Sequence, residues 1–345
     1  MNKDFLYTML DSMSVSGYEI ALQKKIINHM ANHCDEVITD YAGNVICAIN
    51  PDAPFKVLLT GHIDEIGLVI TNIHSDGFLK VEKVGGIMPS VFPGHQVVVY
   101  GYKQVVYGSV VHCRTSDKSD FKVGDLVIDI GAKNAEDARR YVREGDAIHI
   151  HSYHCEMING FLSARALDDR SGAFIILEAL KRAKDKGCKI GAYAATTVGE
   201  ETTMNGAYWA AEKVKPNVGI AVDVTYAQDY PGANPDSTGN VCLGKGPVIC
   251  YGTIVSKKIN ELLCSCAENK AIPYQMETCV GRTGTDIDKM HFTAGGIVTA
   301  LVSLPLRYMH TPAEVCSLDD IENSIELLSE FLCSIDEYTN IDPFC

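Results

Sequence analysis

The sequence has no CxxC pair, no GxSxG elbow, no Walker loop and no GxGxxG following a strand. Those absences exclude the α/β-hydrolase, P-loop and dinucleotide-binding chemistries. No uninterrupted apolar run is long enough to cross a bilayer, and the start, Met1-Asn2-Lys3-Asp4, lacks the basic and then apolar regions of an export signal. Positive charge is also short: 30 Lys and Arg stand against 44 Asp and Glu, a net charge of -14. Such a surface repels a phosphate backbone or an anionic membrane face, so neither nucleic acid nor membrane is an expected partner. The 13 cysteines are odd in number and scattered, with Cys264 and Cys266 the only close spacing. They are expected to be reduced thiols in a cytoplasmic protein, each filling space as a small buried apolar side chain.

What is present is an ordinary globular composition, 46% apolar and 21% charged over 345 residues. That length allows one large domain, or a large one carrying a smaller one. Residues Phe5 to His33 carry helical spacing, and Val45-Ile46 and Val57-Leu58-Leu59 have the character of buried strands. From Asp76 to Tyr153 the pattern changes to short β-branched runs broken by glycine: Phe78–Val84, Gln96–Tyr100, Val105–His112, Asp125–Ile130 and Ala147–His151, with a helical stretch at Glu136–Val142. This middle segment is expected to form a small, PDZ-like β barrel inserted into an α/β unit. After Leu162 strand and helix alternate again. Arg170–Lys184 has an apolar stripe at Ala173, Ile176, Leu177 and Leu180, Lys189–Val198 reads as a strand, and Met204–Lys213 reads as a helix. Val218–Val224 and Ile297–Leu304 are strands covered on both faces, and Leu318–Tyr338 is an amphipathic helix. The expected fold class is α/β: a mixed, mainly parallel sheet with helices on both faces plus the inserted barrel. The expected division is 1–70 and 157–345 for the α/β domain and 71–156 for the insertion.

Residues able to do chemistry gather where the strands end. His62 and Asp64 follow Lys56–Thr60, Glu200 and Glu201 follow Lys189–Val198, Asp223 closes Val218–Val222, and His310 lies just beyond Ile297–Leu304. In open α/β sheets ligands bind outside the carboxyl ends of the strands. Asp168 and Asp169 add carboxylates at a helix N-terminus, where a capping acceptor is also needed. Two histidines and several carboxylates, without cysteine, form an N/O donor set for zinc or a similar divalent ion. A carboxylate such as Asp168 can bridge two ions, which can share and acidify one water for amide hydrolysis. A further carboxylate is then needed to move the proton. Each piece alone has a plainer reading: a capping pair for Asp168-Asp169, a solvated face for Glu200-Glu201, a surface feature for His62-Ile63-Asp64.

Five motifs in order carry a resemblance: Gly61-His62-Ile63-Asp64-Glu65, Ala166-Leu167-Asp168-Asp169-Arg170, Glu200-Glu201 before Asn205-Gly206-Ala207, Asp223-Val224-Thr225, and Arg307-Tyr308-Met309-His310-Thr311-Pro312. The chain resembles the tetrahedral, or glutamyl, aminopeptidases, metallopeptidase family forty-two, over most of its length. The resemblance implies a dinuclear metal site, two divalent ions per subunit, zinc first with cobalt or manganese as alternatives. Asp168 would bridge the ions, with His62 and Asp223 on one side and Glu201 and His310 on the other. Glu200 would be the general base and Asp64 would orient the His62 imidazole. The resemblance also implies a barrel used for dimerisation, homodimers assembling into a dodecamer, and short peptides as substrates. Two departures stand out. Thr202 and Thr203 replace the family's usual Val-Gly after the glutamates, and Gly281–Asp286 matches its Gly-Thr-Asp segment irregularly around Arg282, leaving Arg282 and Asp286 as candidate substrate contacts.

The densest His/Cys cluster is elsewhere, at His149, His151, His154 and Cys155. With no second cluster near in sequence it reads as structural rather than as a zinc site. His29 and His33, spaced i, i+4 without HExxH, read as surface residues. The alternatives to an aminopeptidase are an N-acyl-amino-acid deacylase or carboxypeptidase of the related co-catalytic zinc clan, and a metal-binding scaffold without turnover. A glycosidase is remote, since adjacent glutamates cannot face each other across a sugar.

Overall fold

The computed structural model describes residues 1–112, 121–234, 236 and 239–344. Eight strands form the main sheet, in the order Glu36–Thr39, Val45–Ile49, Gly191–Thr197, Lys56–His62, Val218–Tyr226, Val298–Leu306, Val248–Gly252, Gln275–Cys279. The four central strands, Gly191–Thr197 to Val298–Leu306, are mutually parallel, with antiparallel pairings toward both sides. Their composition explains the layering. Along Lys56–His62, Val57 and Leu59 join one apolar cluster while Leu58 joins the other, so the strand is buried on both faces.

The helix Leu167–Asp185 lies on the first face, burying Ala173, Phe174, Leu177 and Leu180 against the C-terminal helix Leu318–Ser334 and the sheet. Gly61 permits this approach, because a Cβ there would lie 2.7 Å from the Ala173 amide nitrogen. The helix Asn205–Val214 covers the opposite face through Ala210, Ala211 and Val214. The strands Gly67–Ile73, Leu79–Val84, Val127–Asp129, Val105–Val110, Gln96–Tyr100 and Ala147–Ile150 close into a six-stranded antiparallel barrel, in that order of pairing, around its own core.

The mixed α/β sheet with an added barrel is the fold class read from the sequence. Two helical expectations change. Phe5–His33 is two helices, Lys3–Leu10 and Ile20–Met30. The connection runs extended beside Glu65, the Ser16 amide donating to the Glu65 carbonyl and the Glu65 amide to the Ser14 carbonyl, and turns at Gly17, φ 92°. Glu136–Val142 holds only the single turn Ala135–Ala138, capped by the Asn134 side chain. The barrel's first strand, Gly67–Ile73, was not read from the sequence because no turn residues separate it from the Gly61–Glu65 motif. Every described cysteine is a free thiol, and among the described residues no helix is long and apolar enough to cross a membrane.

Barrel and sheet meet around a buried ionic cluster. Glu65 accepts hydrogen bonds from Arg165, from Arg170 Nη2 at 2.6 Å and from the Ser14 amide at 3.2 Å. His149, from the barrel, lies 3.4 Å from Glu65 through Nδ1 and 3.4 Å from the Tyr100 hydroxyl through Nε2. The neutral imidazole suits that arrangement, with Nδ1–H donating to Glu65 and Nε2 accepting from Tyr100. Burial first, then the Arg165 charge, push the His149 pKa from 6.5 down to about 4. The folded value lies below the unfolded one, so between those pH values the unfolded chain binds more protons and stability rises with pH. The expected loss on acidification from pH 6.5 to 4 is on the order of 3 kcal/mol from this residue. Stability of wild type and His149→Gln should therefore converge across that window. Curves that stay parallel would mean His149 is not held neutral.

The rest of the His/Cys cluster separates. His154 stacks on Tyr7 and pairs with Asp11, while His151 lies against Tyr107 and Tyr153. Among the described residues no group able to hold a metal includes any of them. His29 is half-buried, its ring stacked on Phe5 at 3.6 Å, with His33 5.5 Å away.

Candidate metal centre

The carboxyl ends of the four parallel strands bring the chemistry-bearing residues together. Asp168 lies between two imidazoles, Oδ1 3.2 Å from His62 Nε2 and Oδ2 3.2 Å from His310 Nε2. Its two oxygens thus address two separate histidines. Glu200 Oε2 lies 3.7 Å from His62 Nε2, and Glu201 Oε1 lies 3.6 Å from His310 Nε2. Adjacent glutamates diverge toward different histidines because both their amides donate to the Asp64 carboxylate, at 3.0 and 3.2 Å. Asp64 also sits beside the other edge of His62, whose Nδ1 is 3.1 Å from the Asp64 carbonyl and 3.5 Å from Oδ1. Asp64 therefore orients one imidazole and both glutamates at once.

Asp169 divides labour with its neighbour. Across a cis peptide bond from Asp168, it turns inward and accepts from the Gly172 and His62 amides, at 3.0 and 3.2 Å. Capping thus falls to Asp169, leaving Asp168 for the cleft. Asp223 occupies the neighbouring strand, level with His62, since Ala221 and Thr60 are paired in register. The Thr202 and Thr203 hydroxyls both bond to the Gly199 carbonyl, closing the turn that presents Glu200 and Glu201.

Glu314 was not read from the sequence. It accepts from the His310 amide at 2.8 Å and the Asp168 amide at 3.2 Å, tying two remote motifs together. The only available signal was a carboxylate four residues beyond His310. His310 itself has φ 63°, in the left-handed region, with Nδ1 2.9 Å from the Gly86 carbonyl. That backbone strain at a cleft residue is typical of positions held for function. Asp286 is fully buried and bonds to Thr197, while Arg282 is exposed and does not line the cleft.

Charge in this cleft is badly out of balance. Its lining includes Asp168, Glu200, Glu201, Asp223 and Glu277 and, among the described residues, contains no Lys or Arg. Burial foremost, and then mutual repulsion, raise Glu200 to about 10 and Asp223 to about 8, with His62 opposing in both cases. Burial raises Asp168 too, but hydrogen bonds from His310 and His62 outweigh it and hold that carboxyl below its ordinary range. Among the described residues Glu200 Oε1 is buried without a hydrogen-bond partner. Donor atoms of His62, Asp168 and Glu201, and of His62, Asp169 and Asp223, lie within 4.8 Å of one another. Buried imidazole and carboxylate donors lacking counter-charge fit divalent cations of zinc's preferences.

A mixed sheet that gathers such a donor set at the carboxyl ends of its parallel strands places the chain among α/β proteins with a candidate metal centre. The sequence model of the M42 glutamyl aminopeptidases matches residues 43–327, and the chain belongs to that family. It is accordingly an aminopeptidase, a hydrolase of peptide bonds. The chain is 34% identical over 339 residues to a putative aminopeptidase of Acetivibrio thermocellus, covering 96% of this chain and 98% of the relative. It is 31% identical over 340 residues to the lysyl aminopeptidase of Pyrococcus furiosus, covering 95% and 96%. Among solved structures, the Pyrococcus horikoshii TET1 peptidase superposes with a TM-score of 0.87 at 30% identity, covering 96% of this chain and 99% of that one.

Proposed function

We propose that the protein is a metal-dependent aminopeptidase that removes the N-terminal residue from short peptides, with two divalent ions, zinc foremost, held by His62, Asp168, Glu201, Asp223 and His310. The observation that carries this reading is Asp168, whose two oxygens address His62 and His310 from one carboxylate. The ions, when bound, would supply Lewis acidity and a water acidified toward neutral pH. The chain's own residues do the rest. With the cations' charge offsetting the burial and repulsion that raise it, Glu200 would take up a proton at its carboxylate and return it to the departing amine. Asp64 holds His62 in register from behind, while Glu314 fixes the His310 and Asp168 backbones.

The cleft, open to solvent, has a volume of about 510 Å³, enough for an extended peptide end. The Pyrococcus horikoshii relative is described as assembling into a tetrahedron or a large octahedral shell. A homo-oligomer built from dimers is the matching assembly here, with exposed Tyr107 and Tyr153 of the barrel segment offering an apolar contact surface. Confinement in such a shell would favour short peptides in the cytoplasm.

The test is a panel of aminoacyl chromogenic amides, with free and acetylated amines. Free-amine substrates alone should be cleaved, activity should vanish on chelation, and zinc or cobalt should restore it. Cleavage of acetylated substrates would replace this reading with a deacylase.

A further inference from the structure

Glu277 belongs to the cleft but to none of the roles above. It lies on the edge strand Gln275–Cys279, and its carboxylate reaches back across the sheet toward Asp223. Oε2 accepts from the Thr225 hydroxyl at 2.5 Å and Oε1 from the Ser303 hydroxyl at 3.2 Å. Thr225 is two residues beyond Asp223 and therefore on the same face of its strand, while Ser303 is the register partner of Asp223. The Glu277 carboxylate thus sits on the cleft floor beside the candidate metal centre.

Among the described residues its surroundings leave it without a counter-charge: the side chain is 8% exposed, both partners are neutral hydroxyls, and no described Lys or Arg lines the cleft. A buried carboxylate held by hydroxyls keeps its acceptor capacity for a cation. The adjoining walls, Cys250, Leu301, Cys279 and Thr278, are mostly apolar or weakly polar, suited to a methylene stem. A cation on an aliphatic stem, carried by the substrate, completes the arrangement.

Resting on the aminopeptidase reading above, we propose that Glu277 is the specificity-determining residue for the substrate's N-terminal side chain, receiving a lysine ammonium or an arginine guanidinium. The enzyme then prefers peptides that begin with a basic residue.

Norleucine, which has the lysine stem without its ammonium, isolates that contribution. The zinc-loaded wild type should cleave lysyl p-nitroanilide with a kcat/KM about 30-fold or more above that of norleucyl p-nitroanilide, the scale of a desolvated charge pair. In Glu277→Gln, which can keep hydrogen bonds to Thr225 and Ser303, the ratio should fall to about threefold or less. A wild-type ratio near one would overturn the proposal. So would an equal loss on both substrates, which would assign Glu277 to the α-amine common to them. If neither substrate is cleaved, the aminopeptidase reading itself fails. Calorimetric binding of lysine amide against norleucine amide then decides the role of Glu277 separately: discrimination that disappears in the variant supports it, and equal binding overturns it.

Discussion

Glu200→Gln should lower kcat by at least about a thousandfold while leaving bound metal unchanged, within the 10²–10⁴ range that general acid–base catalysis contributes. The expectation follows from how the two adjacent glutamates are used. Glu201 faces His310, whereas Glu200 keeps one buried oxygen with no hydrogen-bond partner and the other 3.7 Å from His62 Nε2. Glutamine preserves size and the amide link to Asp64, so the turn from Gly199 should survive. It removes only the ability to take up and release a proton. The assay is kcat and KM on a free-amine substrate, with metal content measured on the same preparation. Retention of kcat within tenfold would place the base elsewhere, and loss of metal would make Glu200 a ligand instead.

The sequence exposed the ends of strands better than their middles. Apolar runs such as Val57-Leu58-Leu59 and Val218–Val224 are unambiguous because parallel strands are buried on both faces, and the polar residue ending each run is legible as a candidate for chemistry. The edge strand Gln275–Cys279 and the strand beside it lack that contrast. Val248–Gly252 and Gln275–Cys279 have mixed burial and were passed over, which concealed Glu277. Glu314 was hidden for another reason: its partners are backbone amides of His310 and Asp168, 4 and 146 residues away. Nothing local marks a side chain whose task is to join two distant segments. The same limit applied to Glu65, legible as part of a motif but not as the centre of a buried cluster.

Glu65→Gln should destabilise the fold by roughly 3–5 kcal/mol, the effect of breaking a buried ion pair from one side. Arg165 and Arg170 are 5% and 0% exposed, and Glu65 is the carboxylate that both engage. Burial pulls Glu65 upward, but Arg165 and Arg170 hold its carboxyl well below the ordinary range. Its folded value being depressed, the stabilisation is present above the unfolded carboxylate range and is lost only as pH falls through the folded value. Neutral pH therefore reads the full effect. In many proteins an apolar replacement of the whole cluster is tolerated. Here the arginines also donate to backbone carbonyls after the first helix, Arg170 to Leu10 and Ser12 at 3.0 and 2.6 Å and Arg165 to Ser12 at 2.9 Å. Removing them strands those carbonyls. Glutamine at position 65 instead strands two guanidinium groups beside a histidine held neutral, at the seam between barrel and sheet. The urea midpoint, with the m value checked for constancy, measures the loss. A change below about 1 kcal/mol would mean that water reaches the cluster and solvates it.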